Sequence, residues 1–167
     1  MINCISQYIK NISLKIPNSP QIYLKPNDTR PNIDVSIDID AKKLTQKDKD
    51  GESPTNQIFE ITLKIAADAS YNANSVDNKD KKGDPLFLLD ISYSGLFQIT
   101  QDDEAVLEQI LLIYCPNLLF PFLRRIVANV ISDANLPPLM LEPIDFNALY
   151  NRRLANEKHK QEDQKPN

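Results

Sequence analysis

Residues 114–150 read YCPNLLFPFLRRIVANVISDANLPPLMLEPIDFNALY, and the fold turns on how this stretch is parsed. From Leu119 the apolar residues Leu119, Phe122, Leu123, Ile126, Val127, Val130 and Ile131 recur at helical spacing. Arg124, Arg125, Asn129 and Asp133 fall between them, so the spacing predicts an amphipathic helix with a wide apolar stripe. Pro116 interrupts the pattern, Asn117 can cap a restart, and Pro121 sits one turn in, where a kink is expected. After Asn135, LPPLMLEP is held extended by its prolines, and Asp145 caps a last helix from Phe146 to about Leu154. A stripe this wide needs a partner surface, which must come from the preceding chain.

Upstream, four segments alternate apolar and polar residues with the period of a half-buried strand. The first is Tyr8–Ile16, with Tyr8, Ile12, Leu14 and Ile16 on one parity. In the second, Ile33, Val35, Ile37 and Ile39 face one way and Asp34, Ser36, Asp38 and Asp40 the other. The third sets Phe59, Ile61, Leu63 and Ile65 against Glu60, Thr62 and Lys64. The fourth sets Phe87, Leu89, Ile91, Tyr93, Phe97 and Ile99 against Leu88, Asp90, Ser92 and Ser94. Between them lie the proline-rich segment around Ile22, Tyr23 and Leu24 and two polar stretches, Lys42–Gln57 and Asn72–Asp84, which read as mobile loops. Consecutive alternating strands without helical crossovers predict an antiparallel sheet with one acidic solvent face. Asp102 or Asp103 can cap a helix from near Glu104. Strands then helices make the class α+β. One domain is expected over residues 8–154, after a short N-terminal extension (1–7) and before a charged, disordered tail (155–167).

Composition narrows the function. The chain has 167 residues, 41% of them apolar and 25% charged, the profile of a globular domain. The net charge of −4 argues against nucleic-acid binding. No uninterrupted apolar run reaches membrane-spanning length and the N-terminus does not read as a signal peptide, so a cytoplasmic protein without membrane insertion is expected. His159, the only histidine, lies in the tail, which removes Ser-His-Asp and Cys-His nucleophile systems. Cys4 and Cys115 suggest neither a disulfide framework nor a zinc site, and Cys115 reads as a buried structural thiol. Asp34, Asp38 and Asp40 form a solvated acidic stripe, or a docking face for a basic partner; metal ligation is a distant third. No catalytic residues, cofactor or metal are expected. One sheet face covers one helix stripe, so Ile22, Tyr23, Leu24, Leu118, Phe120, Leu139, Leu141, Phe146, Leu149 and Tyr150 are surplus apolar surface. They are available to the core, to an oligomer interface or to a binding groove.

YCPNLLFPFLRR followed by LPPLMLEPIDFNALY resembles the signature region of the SecB export chaperones. IKNISLKIPNSPQIY and PLFLLDISYSGLFQI are similar to two further parts of that family, so the likeness covers about Tyr8 to Arg152. It implies a homotetramer, a dimer of dimers, that holds unfolded precursor proteins in apolar grooves without ATP and passes them to the SecA translocase ATPase. On that resemblance the client-binding residues would be Ile22, Tyr23, Leu24, Phe120, Leu139, Leu141, Phe146, Leu149 and Tyr150. SecA would dock on Leu88 and Asp90, supported by Asp34 and Asp38. Leu89, Ile91, Tyr93, Phe122 and Ile126 would contribute to the oligomer interface. The chain departs from the family at Asn11 and Lys15, where acids can stand, and near Thr29 and Arg30, where a tryptophan is often found. The departures at Asn11 and Lys15 leave room for an alternative, a dedicated adaptor or antitoxin-specific chaperone on the same fold.

Overall fold

Alternating β-branched and aromatic residues place four long strands side by side, in the order β1-β4-β3-β2 and antiparallel throughout. The computed structural model describes residues 1–24, 30–44, 57–71 and 84–162. The strands are β1 (Ile2–Lys15), β2 (Asn32–Leu44), β3 (Gln57–Tyr71) and β4 (Asp84–Ile99). Of the two polar stretches read as mobile loops, residues 45–56 and 72–83 lie outside the described residues, as do Thr29 and the tail residues 163–167.

The N-terminal residues are part of the sheet. β1 starts at Ile2 and pairs with β4 from Ile2–Ile99 onward, so residues 1–7 are not an extension. Bulges between Cys4 and Ser6 and between Ile9 and Asn11 insert extra residues, and each reverses the side-chain parity. Simple alternation therefore misplaces Tyr8. It pairs with Ser94 on the outer face and donates to Glu60 Oε1, while Ile9 joins Ile12 and Leu14 on the other face. Lys10 bonds the second Glu60 oxygen at 2.8 Å. These two donors hold the Glu60 carboxyl below its ordinary range, and its proximity pushes the Tyr8 phenol up to about 12.

On the opposite face of the sheet, β3 and β4 carry a continuous apolar surface, from Phe59 to Ala69 and from Phe87 to Ile99, and these side chains are buried. The helical layer covers them. α2 (Glu104–Gln109) is capped by Asp103, whose Oδ1 accepts from the Ala105 and Val106 amides at 2.9 and 3.3 Å. It runs through a π-turn (Ile110–Tyr114) into α3 (Cys115–Asp133). The helix is thus continuous across Pro116. The wider turn accommodates a residue without an N–H, and Asn117 does not cap a new start. Its side-chain amide donates to the Ile113 carbonyl at 2.8 Å. Leu119, Leu123, Val127 and Ile131, spaced by four, are fully buried on the sheet, each worth about 1.5–3 kcal/mol. Asn135, at φ 56°, closes the helix in the left-handed conformation, with the Leu136 amide reaching the Ile131 carbonyl at 3.3 Å. Cys115 lies among these residues, and burial pushes its thiol up to about 12.

Two expectations change here. The joined helix Glu104–Asp133 contains a window long and apolar enough to cross a membrane; the interruption expected at Pro116 divides that window. One side of it packs on the sheet as a core helix does. The second is the tail. α4 runs from Phe146 to Glu162, well past Leu154, because Asn156–Glu162 is rich in good helix formers.

Candidate functional site

β2 lies at an edge of the sheet, and two cavities run along it. The first, about 350 Å³, is walled by Ile33, Val35 and Ile37 on the strand and by Leu139–Ile144 of the proline-stiffened arm. The second, about 660 Å³, is lined by Ile37–Asp40 and Lys64 on the sheet, Leu112 on the long helix, and Leu149, Tyr150, Arg152 and Arg153 on α4. Ile37 lines both, so together they form one trough that is apolar at the arm end and charged at the α4 end.

The trough walls are held by a few anchors. Leu141 and Phe146 are buried, and the Phe146 ring meets Phe120 edge-on at 6.0 Å between centroids. Asp145 accepts from the Ala148 amide at 3.0 Å and starts α4. The Tyr150 hydroxyl donates to Glu108 at 3.2 Å, tying α4 back to α2. Tyr23 likewise donates to the Ala134 carbonyl at 2.8 Å, pinning α1 (Gln21–Leu24) beside the end of α3.

Of the nine residues expected to grip a client, Phe120, Leu141 and Phe146 are at most 8% exposed. They support the site and have no surface to offer it. Ile22 is partly buried against the core, Tyr23 is exposed, and Leu24 is 77% exposed. Leu139, Leu149 and Tyr150 line the trough. Sequence reasoning missed Ile33, Val35 and Ile37, Arg152 and Arg153, and Met140, which is 58% exposed. The three strand residues read only as one face of a strand, because alternation identifies a face without saying that the strand is an edge beyond the helix's cover.

The expected interface residues divide in the same way. Leu89, Ile91 and Tyr93 are buried inside the protomer beneath α3 and present nothing to a second copy. Phe122 is exposed, Ile126 is partly so, and Tyr114 and Leu118 are exposed on the same line of the helix. Ile5, Ile9 and Ile12 on β1 are exposed as well. The long helix thus carries two parallel apolar lines, of which the sheet covers one.

On the outer face, one rung of the sheet aligns Asp34, Asp68, Leu88 and Lys15, and the next aligns Ser36, Ala66, Asp90 and Ser13. Leu88 is 38% exposed among three exposed carboxylates, those of Asp34, Asp68 and Asp90. Asn11 donates to Asp90 at 3.5 Å. Asp38 and Asp40 lie 3.8 and 4.0 Å from Lys64, which dilutes the acidic stripe at that end. Asp68 escaped notice because its neighbours Ala66, Ala67 and Ala69 blur the alternation.

A regular strand edge beside an apolar arm, with a polar opposite face, defines an α+β protein with an open groove along one sheet edge. The chain belongs to the SecB family: the family described as preprotein translocase subunit SecB matches residues 1–157. It is 40% identical over 152 residues to the protein-export protein SecB of Anaplasma phagocytophilum, covering 89% of this chain and 90% of that protein. It is also 40% identical over 152 residues to the protein-export protein SecB of Parvibaculum lavamentivorans, covering 91% and 78%. Among solved structures it resembles a Mycobacterium tuberculosis SecB-like chaperone in complex with a peptide from the HigA1 antitoxin. That match has a TM-score of 0.55 at 17% identity, over 86% of this chain and 90% of the other, and establishes the shared fold.

Proposed function

We propose that this protein is a protein-export chaperone that holds unfolded precursors in a translocation-competent state. It acts in the cytoplasm without ATP and hands its clients to the SecA translocase. Membership of the SecB family supports this reading, and the single structural feature that carries it is the open apolar trough along β2. A chaperone that binds only the unfolded chain lowers that chain's free concentration and delays its collapse. Catalysis has no part in this mechanism. The protein works as a homotetramer, with the uncovered helix line Tyr114, Leu118, Phe122 and Ile126 and the exposed β1 residues as the contacts between copies. Light scattering at the mass of four chains, with suppressed aggregation of an unfolded precursor in the absence of nucleotide, is the expected result. A monomer without effect on aggregation would overturn the reading.

SecA docks on the outer sheet face, at Leu88 ringed by Asp34, Asp68 and Asp90. The acids that β1 lacks at Asn11 and Lys15 are supplied from the other side of Leu88, by β2 and β3. Replacing Leu88 with alanine together with Asp68→Asn is expected to weaken SecA binding by roughly tenfold or more. Aggregation suppression should be unchanged, because neither Leu88 nor Asp68 lines the trough. Titration of SecA against the double variant and the unaltered protein measures it, and an unchanged affinity would place docking elsewhere. The alternative reading, a chaperone for one dedicated partner, predicts that unrelated unfolded chains fail to bind.

A further inference from the structure

We infer that Glu60, on the outer face of the sheet, is the positioning residue for the self-association surface on the opposite face. By holding Tyr8 and Lys10 it keeps β1 in the bulged register that turns Ile9 toward the helix-bearing side, where copies meet. This rests on the reading of the exposed β1 residues as contacts between copies.

Two registers compete for β1. Counting on from the Asn11–Ser92 pair without a bulge, Lys10 would pair with Tyr93 and Ile9 with Ser94. Side chains alternate along a strand, so that register puts Lys10 and Tyr8 on the helix-bearing face and Ile9 on the outer one. The register adopted leaves Lys10 in the bulge and pairs Ile9 with Tyr93 and Tyr8 with Ser94. The second bulge, between Cys4 and Ser6, then restores the original parity. The faces of residues 6–9 are thus inverted between the two registers, while Cys4 and Ile12 keep theirs. Ile9 is 46% exposed and Ile12 41%, and only the bulged register sets them side by side as one apolar surface.

The outer face makes the choice. Each bulge leaves a residue unpaired and interrupts the ladder, so other bonds must offset it. Tyr8 reaches across β4 to donate to Glu60 Oε1, and Lys10 bonds Oε2 at 2.8 Å. Along this span Thr62 and Ser94 are buried although they belong to the outer face, and their hydroxyls bond each other at 2.8 Å. The Glu60 side chain is only 12% exposed, so water competes little for it. On the helix-bearing face the cross-strand bond of this segment joins neutral groups, Tyr93 donating to Gln7 at 3.1 Å. Bonds to a carboxylate are roughly twice as strong as neutral ones, and Glu60 makes two. The unbulged register loses both and moves the Lys10 ammonium to the face it would share with Ile12 and Leu14. A cation there opposes the apolar contact between copies, because covering it strips its water.

The test traps the register in the whole protein, with Cys4→Ser to remove the exposed thiol. Ser6→Cys with Leu96→Cys reports the bulged register, in which the two stand opposite. Gln7→Cys with Leu96→Cys reports the unbulged one. Under oxidation by diamide, Glu60→Ala is expected to shift the ratio of the two crosslinks toward the second by about tenfold or more. The charge swap, Lys10→Glu with Glu60→Lys, should bring the ratio back. Lys10→Leu, which leaves the Tyr8 bond and puts an apolar side chain in place of the ammonium, should shift it in the same direction, and it decides the matter if Glu60→Ala fails to fold. An unchanged ratio, even with lowered thermal stability, would make Glu60 a structural group only and overturn the inference. In a dilution series followed by light scattering, Glu60→Ala should come apart at a concentration about tenfold higher or more, because Lys10 replaces Ile9 at the contact. If the ratio shifts while dissociation is unchanged, the reading of β1 as a contact between copies falls and the control of register by Glu60 stands.

Discussion

Phe146→Ala is expected to lower the unfolding free energy by about 3–5 kcal/mol, the range for truncating a fully buried aromatic side chain. The loss should also abolish client holding. Phe146 is the buried foot of α4, set edge-on against Phe120. Beyond it, among the described residues, Leu149 packs against the core and Tyr150 bonds Glu108 to keep α4 on the body of the protomer, and the sequence has no apolar residue after Ala155. Without the ring, the wall of the trough carrying Leu149, Tyr150 and the two arginines is released while the sheet stays intact. Urea unfolding at fixed protein concentration measures the first effect and aggregation suppression the second. Phe146→Leu, which keeps most of the volume, should cost less than about 1.5 kcal/mol and retain holding. If Phe146→Ala left holding intact, α4 would not be a wall of the site.

Gly95→Val is the second large effect, and its cause is contact between layers. A Cβ at residue 95 would lie 2.7 Å from Phe97 Cε2 and 2.8 Å from Leu119 Cδ2. Both side chains are fully buried, so neither can withdraw without moving the core around it. Overpacking of this kind costs about 1–3 kcal/mol for a methyl group, and valine should reach or pass the upper end. A Leu119→Ala background makes room for the new side chain. The double variant should therefore be more stable than the sum of the single losses by about 1 kcal/mol or more. Additive losses would show that Gly95 is not where the helix closes on the sheet.

β3 and β4 are central strands without interior bulges over most of their length, so alternation assigns every residue from Phe87 to Tyr93 to the correct face. Asp103 and Asp145 cap helices because a short acceptor before an apolar run has few other uses. Tyr8 was misplaced because a bulge adds a residue that nothing in the local composition announces. The long helix was split at Pro116 because a π-turn absorbs the proline, and that geometry comes from packing on the sheet. The docking face was half legible: Leu88 and Asp90 stand out on β4, while Asp68 becomes their neighbour only through the β3–β4 register.

The sequence by itself determined the class, the antiparallel sheet, the amphipathic helix and the family, because periodicity and a long ordered motif are properties of the chain read in one dimension. Only the tertiary structure decided which apolar residues are core and which are surface. Ile33 and Leu89 look alike in the sequence, each alternating with polar neighbours. Leu89 lies on a central strand under α3 and is buried, whereas Ile33 lies on an edge strand beyond the helix's reach. Phe120 and Phe122 differ by two positions on one helix, yet one turns inward against Phe146 and the other faces out. Burial depends on what a neighbouring element covers, and the stretch 114–150 became a site only when its arm came to rest beside the edge of β2.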